Sequence, residues 1–168
     1  MRDAVIESLG EVGEAEAVPA LLHYAIGQGI LTLPDGGSTA AWDAVRSAYK
    51  IAGLKGPEQD GQCYGILTTK RVFRVNEPIH VFHVAEAVND KAVLLLAGPL
   101  PVRDTLDGRP VGEPKQFFSY DGPSMTGPGV AANYEVTTYS FPKPGRHKIQ
   151  WMDRSNVLEI EIVAPSGT

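Results

Sequence analysis

The chain is predicted to be mostly β, an antiparallel β-sandwich behind a small N-terminal α-helical segment. Three observations carry this reading. Before about residue 56 the apolar residues recur at helical spacing. From residue 63 onward they alternate, and Gly or Pro punctuates the chain roughly every ten residues, which makes about seven or eight strand-length runs. A 43% hydrophobic and 21% charged composition over 168 residues suits a packed domain with a small extra piece rather than a disordered chain. The expected division is residues 1–56, helical, and residues 57–168, the sandwich.

Taken in order, RDAVIESLGEVG places Val5, Leu9 and Val12 on one helical face, with Ile6 beside them and Arg2, Asp3 and Glu7 opposite. EAEAVPALLHYAIG repeats the stripe through Val18, Leu21, Leu22, Ala25 and Ile26. Pro19 belongs in its first turn, where a missing N–H costs nothing, and Gly27 and Gly29 supply the stop. The two segments form a helical hairpin. A third helix is expected over about 40–52, capped by Ser38 or Thr39, with Asp43 in its first turn and Gly53 after its end. Its apolar stripe is Trp42, Val45, Tyr49 and Ala52.

The β half begins with CYGILTTK and RVFRV, read as one bent strand. PIHVFHVAEAV alternates, with Ile79, Val81, His83 and Ala85 on one face and His80, Phe82, Val84 and Val88 on the other; apolar residues on both faces mark a central strand. KAVLLLAG is a core strand, Asp107-Gly108 a hairpin turn, and QFFSY, ANYEVTTYSF, RHKIQWM and NVLEIEIV are the later strands. Pro144-Gly145 fits a type II turn, with a positive φ at Gly145.

Two resemblances follow from these residues. AVIESLGEVGEAEAVPALLHYA resembles a single HEAT-like repeat of the bacterial type through Leu9, Gly10, Gly13, Ala17, Val18, Pro19, Leu21 and Leu22. It implies a helical hairpin. Such repeats normally stack to bury both faces, so a longer array preceding this segment is an expectation. Residues 63–163 resemble bacterial immunoglobulin-like and fibronectin-like modules. The likeness rests on Phe73, Asn76, Glu77, Pro78 and Ile79 leading into the second strand. Tyr139, Phe141, Pro144, Gly145, His147, Ile149 and Trp151 carry it in the late strands. The resemblance implies an immunoglobulin-like sandwich. The antibody-type cysteine pair is missing, since Cys63 is the only cysteine.

Charge and composition remove several function classes. A net charge of −5 and a pI near 5.3 repel phosphate, and the basic residues are scattered, so no nucleic-acid partner is expected. No run of about 18 apolar residues exists, so no membrane span is expected. The N-terminus carries acids and lacks the apolar stretch of a signal peptide. One cysteine leaves no internal disulfide and fits a reducing, cytoplasmic compartment.

No catalytic, cofactor or metal residues are expected. Cys63 in DGQCYG invites a nucleophile reading, but YGILTT after it reads as strand, which supplies no helix N-terminus to lower the thiol pKa. His80, His83 and Glu86 are spaced by three; on a strand such positions face opposite ways and cannot converge on a metal. His23 lies on a helix with no ligand four residues on. GPGVAA at 127–132 imitates a dinucleotide fingerprint but lacks the following helix. The loop 120–131 is the candidate binding element, with Tyr120, Asp121, Ser124, Met125 and Thr126 as its residues and Met125 as an apolar anchor.

The expected function is a non-enzymatic protein-interaction or structural module of a larger multidomain protein. The alternatives are a loop-based peptidase inhibitor and a carbohydrate-binding sandwich. A protein partner is expected. Self-association through the N-terminal helices would cover the apolar flank that one helical layer leaves open, making a homo-oligomer.

Overall fold

A computed structural model describes residues 14–31, 38–88, 93–94, 103–111, 116–117, 125–126 and 129–165. The proposed first arm of the helical hairpin, with Val5, Leu9 and Val12, lies outside the described residues. Helix α1 spans Ala17–Gly27, with Pro19 in its first turn as its missing N–H requires. Helix α2 spans Thr39–Ala52. Ser38 Oγ accepts from the Ala41 N–H at 3.3 Å, and Gly53 ends the helix at φ 60°. Because the helix begins at Thr39, Asp43 falls beyond the first turn, and its carboxylate pairs with Arg46 instead of the helix terminus.

The strands make three sheets. The first has the order β1 (Gln62–Leu67), β3 (Ile79–Ala87), β9 (Val130–Tyr139), β7 (Gln116–Phe117), all antiparallel. The second runs β2 (Val72–Arg74), β11 (Leu158–Val163), β10 (Gly145–Trp151), β5 (Asp104–Leu106), β6 (Arg109–Pro110). A third, two-stranded sheet pairs β4 (Val93–Leu94) with β8 (Met125–Thr126). Of the expected core strand KAVLLLAG, Val93 and Leu94 are among the described residues, and they form β4.

Two expectations are corrected by this topology. The all-antiparallel sheet is mixed, because β2 pairs parallel to β11. CYGILTTK and RVFRV are two strands in different sheets; the chain leaves the first sheet after Leu67 and joins the second alongside β11. Pro144-Gly145 does not turn a hairpin. β9 and β10 belong to different sheets, so residues 140–144 cross between them. Gly145 is already the first residue of β10, paired with Ile162, and its φ is not positive. Asp107-Gly108, by contrast, is the expected two-residue turn: β5 and β6 flank it, and both residues take positive φ, 51° and 77°.

The two larger sheets share one core. Tyr64, Ile66, Ile79, Val81, Ala85 and Tyr139 from the first meet Phe73, Ile149, Trp151, Leu158, Ile160 and Ile162 from the second. The opposite face of the first sheet carries Leu67, Phe82, Val84, Ala131 and Val136, and the helices seal it with Leu21, Leu22, Ala25, Ala44, Val45, Ala48 and Tyr49. Apolar residues on both faces of β3 are thereby explained, each buried side chain contributing about 1.5–3 kcal/mol relative to exposure. On α1, Leu21, Leu22 and Ala25 are buried in the cluster shared with α2, while Val18, Tyr24 and Ile26 are partly buried.

The outer edge of β1 is closed by a side chain. Asn156 Oδ1 accepts from the Ile66 N–H at 2.9 Å, and its Nδ2 donates to the Ile66 carbonyl at 3.1 Å, so the amide stands where a neighbouring strand would.

Candidate functional site

Among the described residues, a group of hydrogen-bonded polar side chains lies inside the core, between the sheets. His83 projects inward from β3 in the row Ile79, Val81, Ala85, and it is fully buried. Its Nε2 lies 3.0 and 3.2 Å from the two carboxylate oxygens of Asp104, a residue of β5 in the other sheet that is itself 1% exposed. Its Nδ1 lies 3.2 Å from the main-chain oxygen of Glu135. A carbonyl oxygen only accepts, so Nδ1 carries a hydrogen and donates. Tyr139 and Thr137, both on β9, donate their hydroxyls to Asp104 Oδ2, the latter at 3.4 Å. Asp104 is thus one acceptor from the second sheet serving three donors from the first.

Aromatic rings close the cluster. Trp151 stands edge-on to His83, centroids 5.1 Å apart and planes at 87°, and Tyr64 stands edge-on to Trp151 at 5.1 Å. Burial, with the Asp104 charge behind it, pushes the Tyr139 phenol far above its ordinary value, so it remains a donor. Glu135 is 3% exposed, and its Oε1 has no hydrogen-bond partner among the described residues. Burial pushes its carboxyl up to about 7; His83 opposes the shift and Asp104 adds to it. Sealed from water, the described groups act on one another: they tie β3, β5 and β9 together across the sheet interface.

The residues singled out from the sequence are spread over the fold. Cys63 is buried on the edge strand β1, opposite Glu86 in register, and burial is the main cause that raises its thiol. Glu86 accepts from the Tyr49 hydroxyl at 3.0 Å and from Lys55 Nζ at 2.9 Å on the helix side of the sheet. His83 faces the opposite side, and His80, on the helix side with Phe82, bonds Thr138 Oγ1 at 3.0 Å. His83 thus stands on the other side of the sheet from His80 and Glu86. His23 Nδ1 contacts the Pro19 carbonyl at 2.7 Å. GPGVAA runs into β9, not into a helix. Trp151 and Tyr139 are core residues. Of the proposed binding loop, Tyr120, Asp121 and Ser124 lie outside the described residues, and Met125 and Thr126 form β8 against β4.

Sequence reasoning did not find Asp104 or Glu135. The available signal was His83 itself: an imidazole in an apolar inward row demands a buried partner. Nothing in sequence order tells that a carboxylate 21 residues away and a main-chain oxygen 52 residues away supply its partners.

The second sheet carries an open cleft of about 650 Å³, lined by Arg71, Val72, Asp107, His147, Lys148 and Glu161 among others. Its charges come in cross-strand pairs: Lys148 with Glu159 at 3.0 Å and Arg146 with Glu161 at 4.0 Å. His147 stacks on Phe141, centroids 4.1 Å apart, and its Nδ1 meets Asp107 Oδ2 at 2.9 Å. Val72, at 47% exposed, is the apolar element of this surface.

No protein-family model matches the chain, and no curated protein is significantly similar to it. Among solved structures, it is similar to the CARDB domain of a Pyrococcus furiosus protein in complex with di-metal ions. That likeness has 12% identity and a TM-score of 0.42, over 66% of this chain and 96% of that one. It is similar to the Pseudomonas fluorescens alkylpurine DNA glycosylase AlkC bound to DNA containing an abasic-site analogue, with 17% identity and a TM-score of 0.38, over 96% of this chain and 43% of that one. A third likeness is to E. coli alpha-2-macroglobulin, with 11% identity and a TM-score of 0.36, over 64% of this chain and 8% of that one. No helix among the described residues is long and apolar enough to cross a membrane.

Proposed function

We propose that residues 57–168 form an immunoglobulin-like β-sandwich, that residues 1–56 are a helical segment seated on it, and that the chain is a non-enzymatic protein-interaction or structural module. One observation carries this reading: the two sheets differ in what covers their outer faces. Helices α1 and α2 bury the outer face of the first sheet. The outer face of the second presents the cleft of Arg71, Val72, Lys148 and Glu161 to solvent. Charges of both signs around one exposed valine suit a polypeptide partner better than a uniformly charged polymer.

The test is a site-specific photo-crosslinker placed at Val72 and, as a control, at the equally accessible Val157, in cells expressing the full chain. A discrete protein adduct at Val72 that disappears with Arg71→Glu/Lys148→Glu, while the melting midpoint holds, is the expected result. Identical labelling at both positions, insensitive to the charge reversal, overturns the reading.

A further inference from the structure

We propose that Glu135 is a proton-sensing residue of the sheet-to-sheet junction: protonated, it leaves the junction closed, and ionised, it loosens it. The geometry comes first. Glu135 sits opposite His83 in the β3–β9 register, and there the ladder slips: His83 pairs with Glu135 but Val84 pairs with Asn133, leaving Tyr134 as an extra residue. The first sheet is already irregular at this point. The main-chain oxygen of Glu135 is occupied by His83 Nδ1, while Oε1 of its buried carboxyl has no partner among the described residues.

The polar groups packed around Glu135 among the described residues are already committed to other partners. From β3, His83 is committed through Nε2 to Asp104; from β5, Asp104 is itself a carboxylate with three donors already on it; from β9 come Thr137 and Tyr139, whose hydroxyls are spent on Asp104. Trp151 of β10 is neutral and edge-on to the imidazole. Ionising Glu135 would set a second buried carboxylate beside a single imidazole, which a water-poor site resists. Protonated, it adds no charge.

The sign of the effect is fixed by linkage. The folded chain holds the Glu135 proton up to about pH 7, whereas the ordinary carboxyl loses it near 4.5. The contribution is therefore fully present below 4.5, falls as the pH rises toward 7, and is spent above it. Between pH 5 and 8 this lowers the folding equilibrium constant by about two orders of magnitude. His80, whose imidazole burial depresses, acts in the opposite sense over the lower part of that window. The informative quantity is accordingly the difference between the native chain and Glu135→Gln, which keeps shape and polarity but cannot ionise.

The experiment is urea unfolding of the full chain and of Glu135→Gln at pH 5, 6, 7 and 8, with ¹³C NMR titration of the Glu135 carboxyl in the native chain. The expected result is a ratio of folding constants, native over variant, that falls about a hundredfold across the series, with a carboxyl midpoint near neutrality. Amides of Val136 and Thr137 should also lose exchange protection at pH 8 in the native chain but not in the variant. A ratio that stays constant with pH, or a carboxyl titrating in the ordinary glutamate range, overturns the proposal. If the variant does not fold, the carboxyl titration decides alone.

Discussion

Replacing Asp104 by alanine removes the one acceptor on which three donors converge. His83 Nε2 loses contacts of 3.0 and 3.2 Å, and Tyr139 and Thr137 lose the carboxylate that accepts from their hydroxyls. All three are buried, so water does not replace the lost bonds without opening the core. Breaking a buried pair by deleting one partner costs about 3–5 kcal/mol, chiefly through the groups left behind. Against the ordinary 5–15 kcal/mol of a whole domain this is a large fraction. Asp104→Asn keeps the shape and one acceptor oxygen, and should cost about 1–3 kcal/mol. The assay is urea unfolding near pH 6, read by both near-ultraviolet circular dichroism and tryptophan emission, since Trp151 packs on His83. Because Tyr139 acts through Asp104, Tyr139→Phe in the Asp104→Ala background should add less than it does alone, with a coupling of about 0.5–3 kcal/mol. A loss below about 0.5 kcal/mol for Asp104→Ala, or strict additivity with Tyr139→Phe, would refute the view that this cluster joins the sheets.

Four other outcomes are expected. Gly65→Ala would place a methyl 2.4 Å from the Tyr49 ring and 2.6 Å from the Leu54 carbonyl oxygen, so thermal unfolding should show a loss of about 1–3 kcal/mol as α2 is pushed off β1. Gly108→Val, at φ +77°, should cost about 1–3 kcal/mol in backbone strain. Gly145→Ala should change stability by less than about 0.5 kcal/mol, because its φ is not positive and the nearest atom to the new methyl is His147 Nε2 at 3.4 Å; equal losses at the two glycines would contradict the turn assignments. Cys63 should react slowly with an alkylating reagent at pH 7 until the chain is unfolded, since its thiol is buried and its pKa raised; immediate stoichiometric labelling of the native protein would show a thiolate instead.

Local rules sufficed for the parts of this protein that local chemistry governs. Ser38, Gly53 and Pro19 mark helix ends because capping and a missing N–H act within a turn. Asp107-Gly108 forms its turn because both residues accept positive φ. The alternation of Ile79, Val81, His83 and Ala85 against Phe82 and Val84 follows from the two-residue repeat of a strand, and it places His83 on the face of Ile79, Val81 and Ala85 before any contact is known. Pro144-Gly145 shows where such rules end. The dipeptide permits a tight turn, but β9 and β10 hydrogen-bond to different neighbours, and that pairing, not the dipeptide, decides the path. The same holds for β2, whose parallel match to β11 depends on where the chain goes after Leu67. Asp104 reads in sequence as an ordinary loop acid next to Arg103. It becomes the acceptor for His83, Tyr139 and Thr137 only when two sheets close on each other, because a buried polar network is assembled from residues tens of positions apart whose partnership is set by register and sheet packing.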